Sequence, residues 1–157
     1  MSTISYLVIA NNDYKYFVKS IDYTYLNPSA IQAQQVIEKY LKYLVETFCV
    51  DESSVPISAL RSHNLITLNR ALINEGIDLG LDRGKLALIS GFYFDMRYPG
   101  ENFYYITKEE FDESLEFVKE VRNKVLNYLR DHGVCPECGG KLSASGMCTN
   151  LLCDYQQ

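Results

Sequence analysis

Apolar residues recur every three or four positions along most of this chain, the spacing of helices that each bury one stripe. The clearest stretch runs from about Pro28 to Phe48. There Ala30, Ala33, Ile37, Leu41, Leu44 and Phe48 hold the spacing, and Glu38 and Lys42 sit four apart in the order that supports a helix. Before it, Phe17, Ile21 and Tyr25, extended by Tyr14, predict a helix over about 13–26. Asn27-Pro28 ends that helix and opens the next, with Asn27 as N-cap and Pro28 in the first helical position. Residues 1–12 declare no period: ISYLVIA reads equally as a short strand or as the start of the first helix.

DESSVPIS reads as a loop, and a third helix is expected from about Ser58 to Asn74, with Leu65, Leu68 and Leu72 on one face. EGIDLGLDRG holds three glycines in ten residues and must turn. A fourth helix, about Arg83 to Asp95, carries Leu86, Ile89 and Tyr93. It runs into FYFDMRYPGENFYY, where seven aromatics crowd 14 residues around a Pro-Gly break. The helical junction makes most of those aromatics core residues. The fifth helix opens at Thr107, which has capping-box spacing to Glu110. Acidic residues fill its first turns and Lys119, Arg122, Lys124 and Arg130 its second half, which complements the helix dipole. Phe111, Leu115, Val118, Val121, Val125 and Leu129 form its inner face, and 131–134 read as a hinge. The expected fold is all-α: an up-and-down bundle of four to five helices over 1–132, followed by a small cysteine-rich unit at 133–157.

Composition adds limits. Of 157 residues, 47% are apolar and 22% charged, the balance of a soluble globular domain. No apolar run is long enough for a membrane span, and MSTISYLVIANN has neither the basic start nor the cleavage pattern of a secretion signal. A cytoplasmic protein is therefore expected. The net charge of −5 offers nucleic acid no global attraction, so such binding would need a local basic patch.

Four of the five cysteines fall in the last 23 residues, which points to metal rather than disulfides. Cys49 stands alone as a core residue. Cys135-Pro-Glu-Cys138-Gly139 has the form of a zinc knuckle, and Cys148 and Cys153 complete a four-cysteine set for structural Zn with no open position for catalysis. This pattern resembles the C-terminal zinc ribbons of bacterial type I topoisomerases, which pair C-P-x-C-G with C-x4-C and often end in Asp and an aromatic, as Asp154-Tyr155 do. Those ribbons bind single-stranded DNA with basic and aromatic residues. Here Lys141 alone faces Glu137 and Asp154, and Leu151-Leu152 replace the usual aromatic, so a structural clip or a protein-docking module is favoured over a DNA clamp.

AIQAQQVIEKYLKYLVE resembles the second helix of HEPN domains, the higher-eukaryote and prokaryote nucleotide-binding family, through Ala30, Gln34, Gln35, Glu38, Lys39, Leu41 and Lys42. LRSHNLITL resembles the following helix, with His63 then Leu65, and FDMRYPGENF resembles the R-Y-P element of the nucleotidyltransferase-associated branch. The resemblance implies a helical bundle, often dimeric, acting on nucleotides or RNA, frequently in toxin–antitoxin or antiviral systems. Ribonuclease members carry R-x4-6-H, in which arginine holds the phosphate and histidine moves the 2′-hydroxyl proton. No arginine here has a histidine at that spacing; after Arg97 the positions hold Asn102, Phe103 and Tyr104.

The leading expectation is thus a noncatalytic HEPN module that binds a nucleotide, RNA or partner protein through Arg97 and Tyr98, with Asn102. A divergent ribonuclease, using Arg97 and Asn102 on phosphate and His63 as base, is the second reading; it requires His63 to lie near Arg97. An adaptor that docks larger proteins through the ribbon is the third. Against these stand plainer roles: His63 as a structural histidine on a helix face, Glu38, Lys39 and Lys42 as a solvated face, Gln34 and Gln35 as a buried polar contact, Arg97 as a helix C-terminal partner, and Tyr23, Tyr25, Tyr40 and Tyr43 as core edge or dimer surface. A protein partner and a homodimer are expected, with no membrane association.

Overall fold

The computed structural model describes residues 4–49 and 54–155, with the side chains of 54–56 set aside. Six helices follow one another: α1 (Tyr6–Lys19), α2 (Leu26–Phe48), α3 (Ser54–Leu60), α4 (Leu65–Asn74), α5 (Arg83–Asp95) and α6 (Lys108–Asp131). α2 lies at the centre and packs against all five others. Phe17, Ile37, Tyr40, Leu41, Leu72, Phe92, Phe111 and Val121 form the core around it. The described residues contain no helix long and apolar enough to cross a membrane.

The boundaries differ from the sequence reading in three places. α1 starts at Ser5, whose hydroxyl accepts from the Val8 N–H, and it ends at Ser20. The strand-like ISYLVIA is therefore helical from Tyr6, with residues 1–3 outside the described part, and Tyr23 and Tyr25 fall in the exposed turn beyond the helix. Asn27 does not cap α2. It lies in the first turn, where its Nδ2 donates to the Tyr104 carbonyl (2.9 Å) and its Oδ1 accepts from the Ile106 N–H (2.9 Å). A residue with good capping chemistry is used instead to pin the segment after Arg97. The single helix expected over 58–74 is two: α3 ends in tight turns at Arg61 and Ser62, and Asn64 Oδ1 accepts from the Ile66 and Thr67 N–H groups to start α4. Of the expected loop at 51–58, residues 51–53 lie outside the described part and Ser54 onward is helical.

α6 carries the expected capping box between Thr107 and Glu110. The expected hinge at 131–134 is instead a closed helix end. Gly133 takes φ +71, its N–H donates to Arg130 O (3.0 Å), and Val134 N–H donates to Leu129 O (2.8 Å). Val134 packs against the core, so the chain is turned back onto the bundle.

The cysteine-rich end therefore rests on α1 and α2. Burial pushes the Tyr40 hydroxyl up to about 12, so it stays protonated and donates to Asn11 Oδ1 at 2.7 Å. Asn11 Nδ2 in turn donates to the Pro136 carbonyl at 2.8 Å. Next to this, Gly139 lies against Tyr43 and Leu7 at φ +77, and a Cβ there would stand 2.7 Å from Tyr43 Oη. Gly139→Ala is expected to lower stability by about 1–3 kcal/mol in urea denaturation, through the left-handed backbone and the clash. Adding Tyr43→Phe, which removes the clashing oxygen, should recover part of the loss. A Gly139→Ala variant as stable as wild type would mean the two units do not meet in this way.

Candidate functional site

The corner after α5 places Arg97 on an aromatic. Its guanidinium carbon lies 4.5 Å from the Tyr93 ring centroid and 5.8 Å from that of Tyr98. Tyr93 is one helical turn upstream, so the i,i+4 spacing brings the two together. Arg97 makes no ion pair with any described residue, and its side chain is exposed. Stacking uses the face of a guanidinium and leaves its in-plane N–H groups free to donate. Met96 closes the helix, and Arg97 follows it by one residue at the C-terminal end.

His63 meets the same tyrosine. Its ring stacks on Tyr93 with centroids 4.1 Å apart and an interplanar angle of 15°. A ring has two faces, and a histidine stacked this closely fills one, so Arg97 occupies the other. His63 is not on a helix face. It sits in the break between α3 and α4, about 43% exposed, with Nδ1 2.7 Å from Glu38 Oε1. A carboxylate only accepts, so Nδ1 carries the proton in this contact.

Behind His63 stands a buried polar group. Glu38 and Lys42 are 8% and 7% exposed and lie 3.8 Å apart. Gln34 Nε2 donates to the His63 carbonyl at 3.1 Å, while its Oε1 has no partner among the described residues. The expected solvated face is thus wrong for Glu38 and Lys42: both lie on the covered part of α2 and pair with each other in the interior. Lys39 is half-buried and paired with Asp13. Gln34 does serve a buried contact, as expected. Of the four tyrosines, Tyr40 and Tyr43 are core residues, whereas Tyr23 and Tyr25 are exposed.

The aromatic stretch is less buried than its helical context suggests. Phe92 is core and Tyr93 and Tyr104 are half-buried, but Phe94, Tyr98, Phe103 and Tyr105 are exposed, Tyr105 by 81%. Asn102 lies in an exposed turn closed by the Phe103 N–H to Gly100 O bond (3.2 Å), and no hydrogen bond among the described residues joins it to Arg97 or His63. The structure therefore brings His63 and Arg97 to the same tyrosine ring. Sequence reasoning missed Tyr93 as the shared platform and Glu38 as the partner of His63. The i,i+4,i+8 line of Gln34, Glu38 and Lys42, beside the apolar stripe of Ala30, Ala33, Ile37, Leu41 and Leu44, was a signal for the second.

At the far end, the Sγ atoms of Cys135, Cys138, Cys148 and Cys153 all lie within 4.8 Å of one another and could hold a metal ion. The turns that present them point N–H groups at sulfur: Gly140 N to Cys138 Sγ at 3.3 Å and Asn150 N to Cys148 Sγ at 3.4 Å. Asn150 Nδ2 adds a third donor to Cys138 Sγ, at 3.7 Å. Such donors stabilise the thiolates that bind a cation. Short antiparallel bridges, Val134 with Lys141 and Leu142 with Cys148, fix the two turns against each other. Leu151 and Leu152 project from the second turn, 100% and 93% exposed.

No curated protein and no solved structure matches the chain. A family model does: the HEPN domain, over residues 5–128. That span takes in α1 to α5, the Arg97 corner and all but the last turn of α6, and it stops before the cysteines. The chain belongs to the HEPN family.

Proposed function

We propose that this HEPN domain binds the phosphate of a nucleotide or an RNA strand at the Arg97 corner, without catalysis by the family's R-x4-6-H route. One observation carries the reading: an exposed arginine with no carboxylate partner among the described residues, held on Tyr93, with the exposed rings of Tyr98 beside it and Phe94 against Tyr93. The guanidinium supplies in-plane donors for phosphate oxygens, and the rings supply faces on which bases stack. Arg97→Ala removes the charge and leaves the fold, since the side chain is exposed. In differential scanning fluorimetry, AMP, ADP or a short single-stranded RNA should raise the wild-type midpoint by roughly 5–10 °C at a hundredfold excess over Kd. The shift should vanish for Arg97→Ala. No shift in wild type with any of these ligands would remove the reading.

The four cysteines are proposed to hold structural zinc. Tetrahedral Zn–S bonds of about 2.3 Å put sulfur atoms about 3.8 Å apart, and the Cys135–Cys153 and Cys138–Cys148 pairs stand at 3.8 and 3.5 Å. Protein purified under reducing conditions should carry one zinc per chain by mass spectrometry of the metal content. Cys138→Ser should lose it and unfold at a lower urea concentration, because the knuckle docks on α1 and α2. Iron in place of zinc would overturn the assignment.

A second reading is favoured by the placement of His63. It shares Tyr93 with Arg97, and Glu38 fixes its tautomer, which is how a general base is oriented. A labelled RNA incubated in EDTA tests this. Cleavage that falls by about 10²–10⁴ in His63→Ala would establish it, and intact RNA under conditions where binding saturates would leave the binding module.

A further inference from the structure

A cleft of about 610 Å³ opens between α1 and the cysteine unit. Val8 and Lys15 line it from α1, Glu137 from the first cysteine turn, and Leu152, Asp154 and Tyr155 from the second turn and the segment after it. Its volume falls in the range of pre-formed binding sites, about 300–1,000 Å³. Two kinds of surface meet there. Val8 and Leu152 are exposed apolar side chains. Glu137 and Asp154 are exposed carboxylates. Lys15 comes within 3.9 Å of Glu137, whereas Asp154 makes no ion pair with any described residue. Behind this rim, the four thiolates with a divalent ion would carry a further charge of about −2. The walls are fixed by hydrogen bonds. Asn11 Nδ2 holds the Pro136 carbonyl against α1 at 2.8 Å. The Leu152 N–H donates to Asn150 Oδ1 at 3.1 Å and the Cys153 N–H to the Asn150 carbonyl at 3.0 Å, which fixes the turn that presents Leu152. Arg130 Nε donates to Tyr155 Oη at 3.0 Å and ties the last described residue to α6.

We propose that this cleft docks a peptide segment of another protein, one that carries an apolar side chain beside a lysine or arginine. The apolar side chain covers Val8 and Leu152, and the cation meets Asp154 and Glu137. Apolar side chains held in water beside a cleft mark an interaction surface. Because the turn that presents Leu152 is already ordered, little conformational freedom is lost when a partner covers it. Charge selects the occupant. A nucleic-acid strand or an anionic lipid surface would meet an acidic rim, and a second copy of a chain with net charge −5 would bring like charge to it. A basic segment is attracted by the same rim. The inference is independent of phosphate binding at Arg97 and uses none of the residues of that corner.

The test is selection from a displayed library of random short peptides, panned against the full zinc-loaded chain. Recovered sequences should be enriched in Leu, Ile, Met or Phe close to Lys or Arg. In fluorescence anisotropy, a recovered peptide should bind about tenfold more weakly to Leu152→Ser. It should also weaken several-fold in the double variant Glu137→Gln with Asp154→Asn, and wild-type binding should fall as salt is raised. All three side chains are exposed, so the fold is kept, and the variants are compared at equal zinc content. Arg97→Ala is the separating control: it should leave peptide binding intact even if it abolishes nucleotide binding. Recovery of no common sequence, recovery of acidic sequences, or unchanged affinity in Leu152→Ser would each overturn the proposal. So would self-association in sedimentation that Leu152→Ser abolishes, since a second copy would then fill the cleft, or binding to phosphatidylserine vesicles that the same variant loses.

Discussion

Everything in this molecule is arranged around the enclosure of α2. A helix packed against five others is buried over much of its surface, so the polar side chains on its covered part need partners inside the protein. Thirteen of its 23 residues are buried, and Gln34, Glu38, Lys42 and Tyr40 are among them. Glu38 and Lys42 partner each other on α2 itself, and other partners lie elsewhere in the chain. Gln34 and Glu38 reach the break after α3 and hold His63. Tyr40 reaches Asn11 and, through it, the cysteine knuckle. Buried polar groups of the central helix thus make hydrogen bonds toward both the His63 break and, through Asn11, the cysteine knuckle.

This explains why the two places where chemistry is proposed differ in character. The corner around Tyr93 depends on a buried charge pair. Glu38 and Lys42 stabilise the fold little in net terms, since desolvation offsets most of their attraction. Their effect is geometric: with Lys42 beside it, Glu38 stays available to orient His63 toward Tyr93. The cysteine knuckle depends on neutral hydrogen bonds and close packing at Gly139, which suit a unit that must sit rigidly but carry no charge into the core. Lys15 and Glu137 also approach across this contact, at 3.9 Å, but both are well exposed and add little.

Much of this was legible in the sequence and some was not, for identifiable reasons. α2, α5 and α6 followed from period and capping, because their signals are local: the apolar stripe of α2, the Thr107 to Glu110 box, the charge gradient of α6. The four cysteines were legible because metal ligation needs fixed spacing of a rare residue. The failures were of another kind. Asn27 has the chemistry of a cap, and only the fold reveals that its amide is taken by Tyr104 and Ile106. The split at His63 was hidden because an Asn can begin a helix inside an apparently continuous pattern. The burial of Glu38 and Lys42 could not follow from their own charges, which argue for solvent; it follows from how many neighbours α2 acquires. The exposure of Phe94, Phe103 and Tyr105 was misjudged because the junction of two helices was taken to be interior, whereas Pro99-Gly100 carries the loop outward.

That last reversal bears on function. An acidic chain can hold an anion only where charge is concentrated locally. Arg97 on Tyr93, without a carboxylate partner among the described residues, is one such point. The cysteine unit supplies none: its outward feature is the apolar pair Leu151-Leu152, with Lys141 as its one base. A surface of that kind suits another protein better than a nucleic-acid strand. The distribution of charge therefore agrees with placing the proposed phosphate recognition on the helical domain rather than on the cysteine unit.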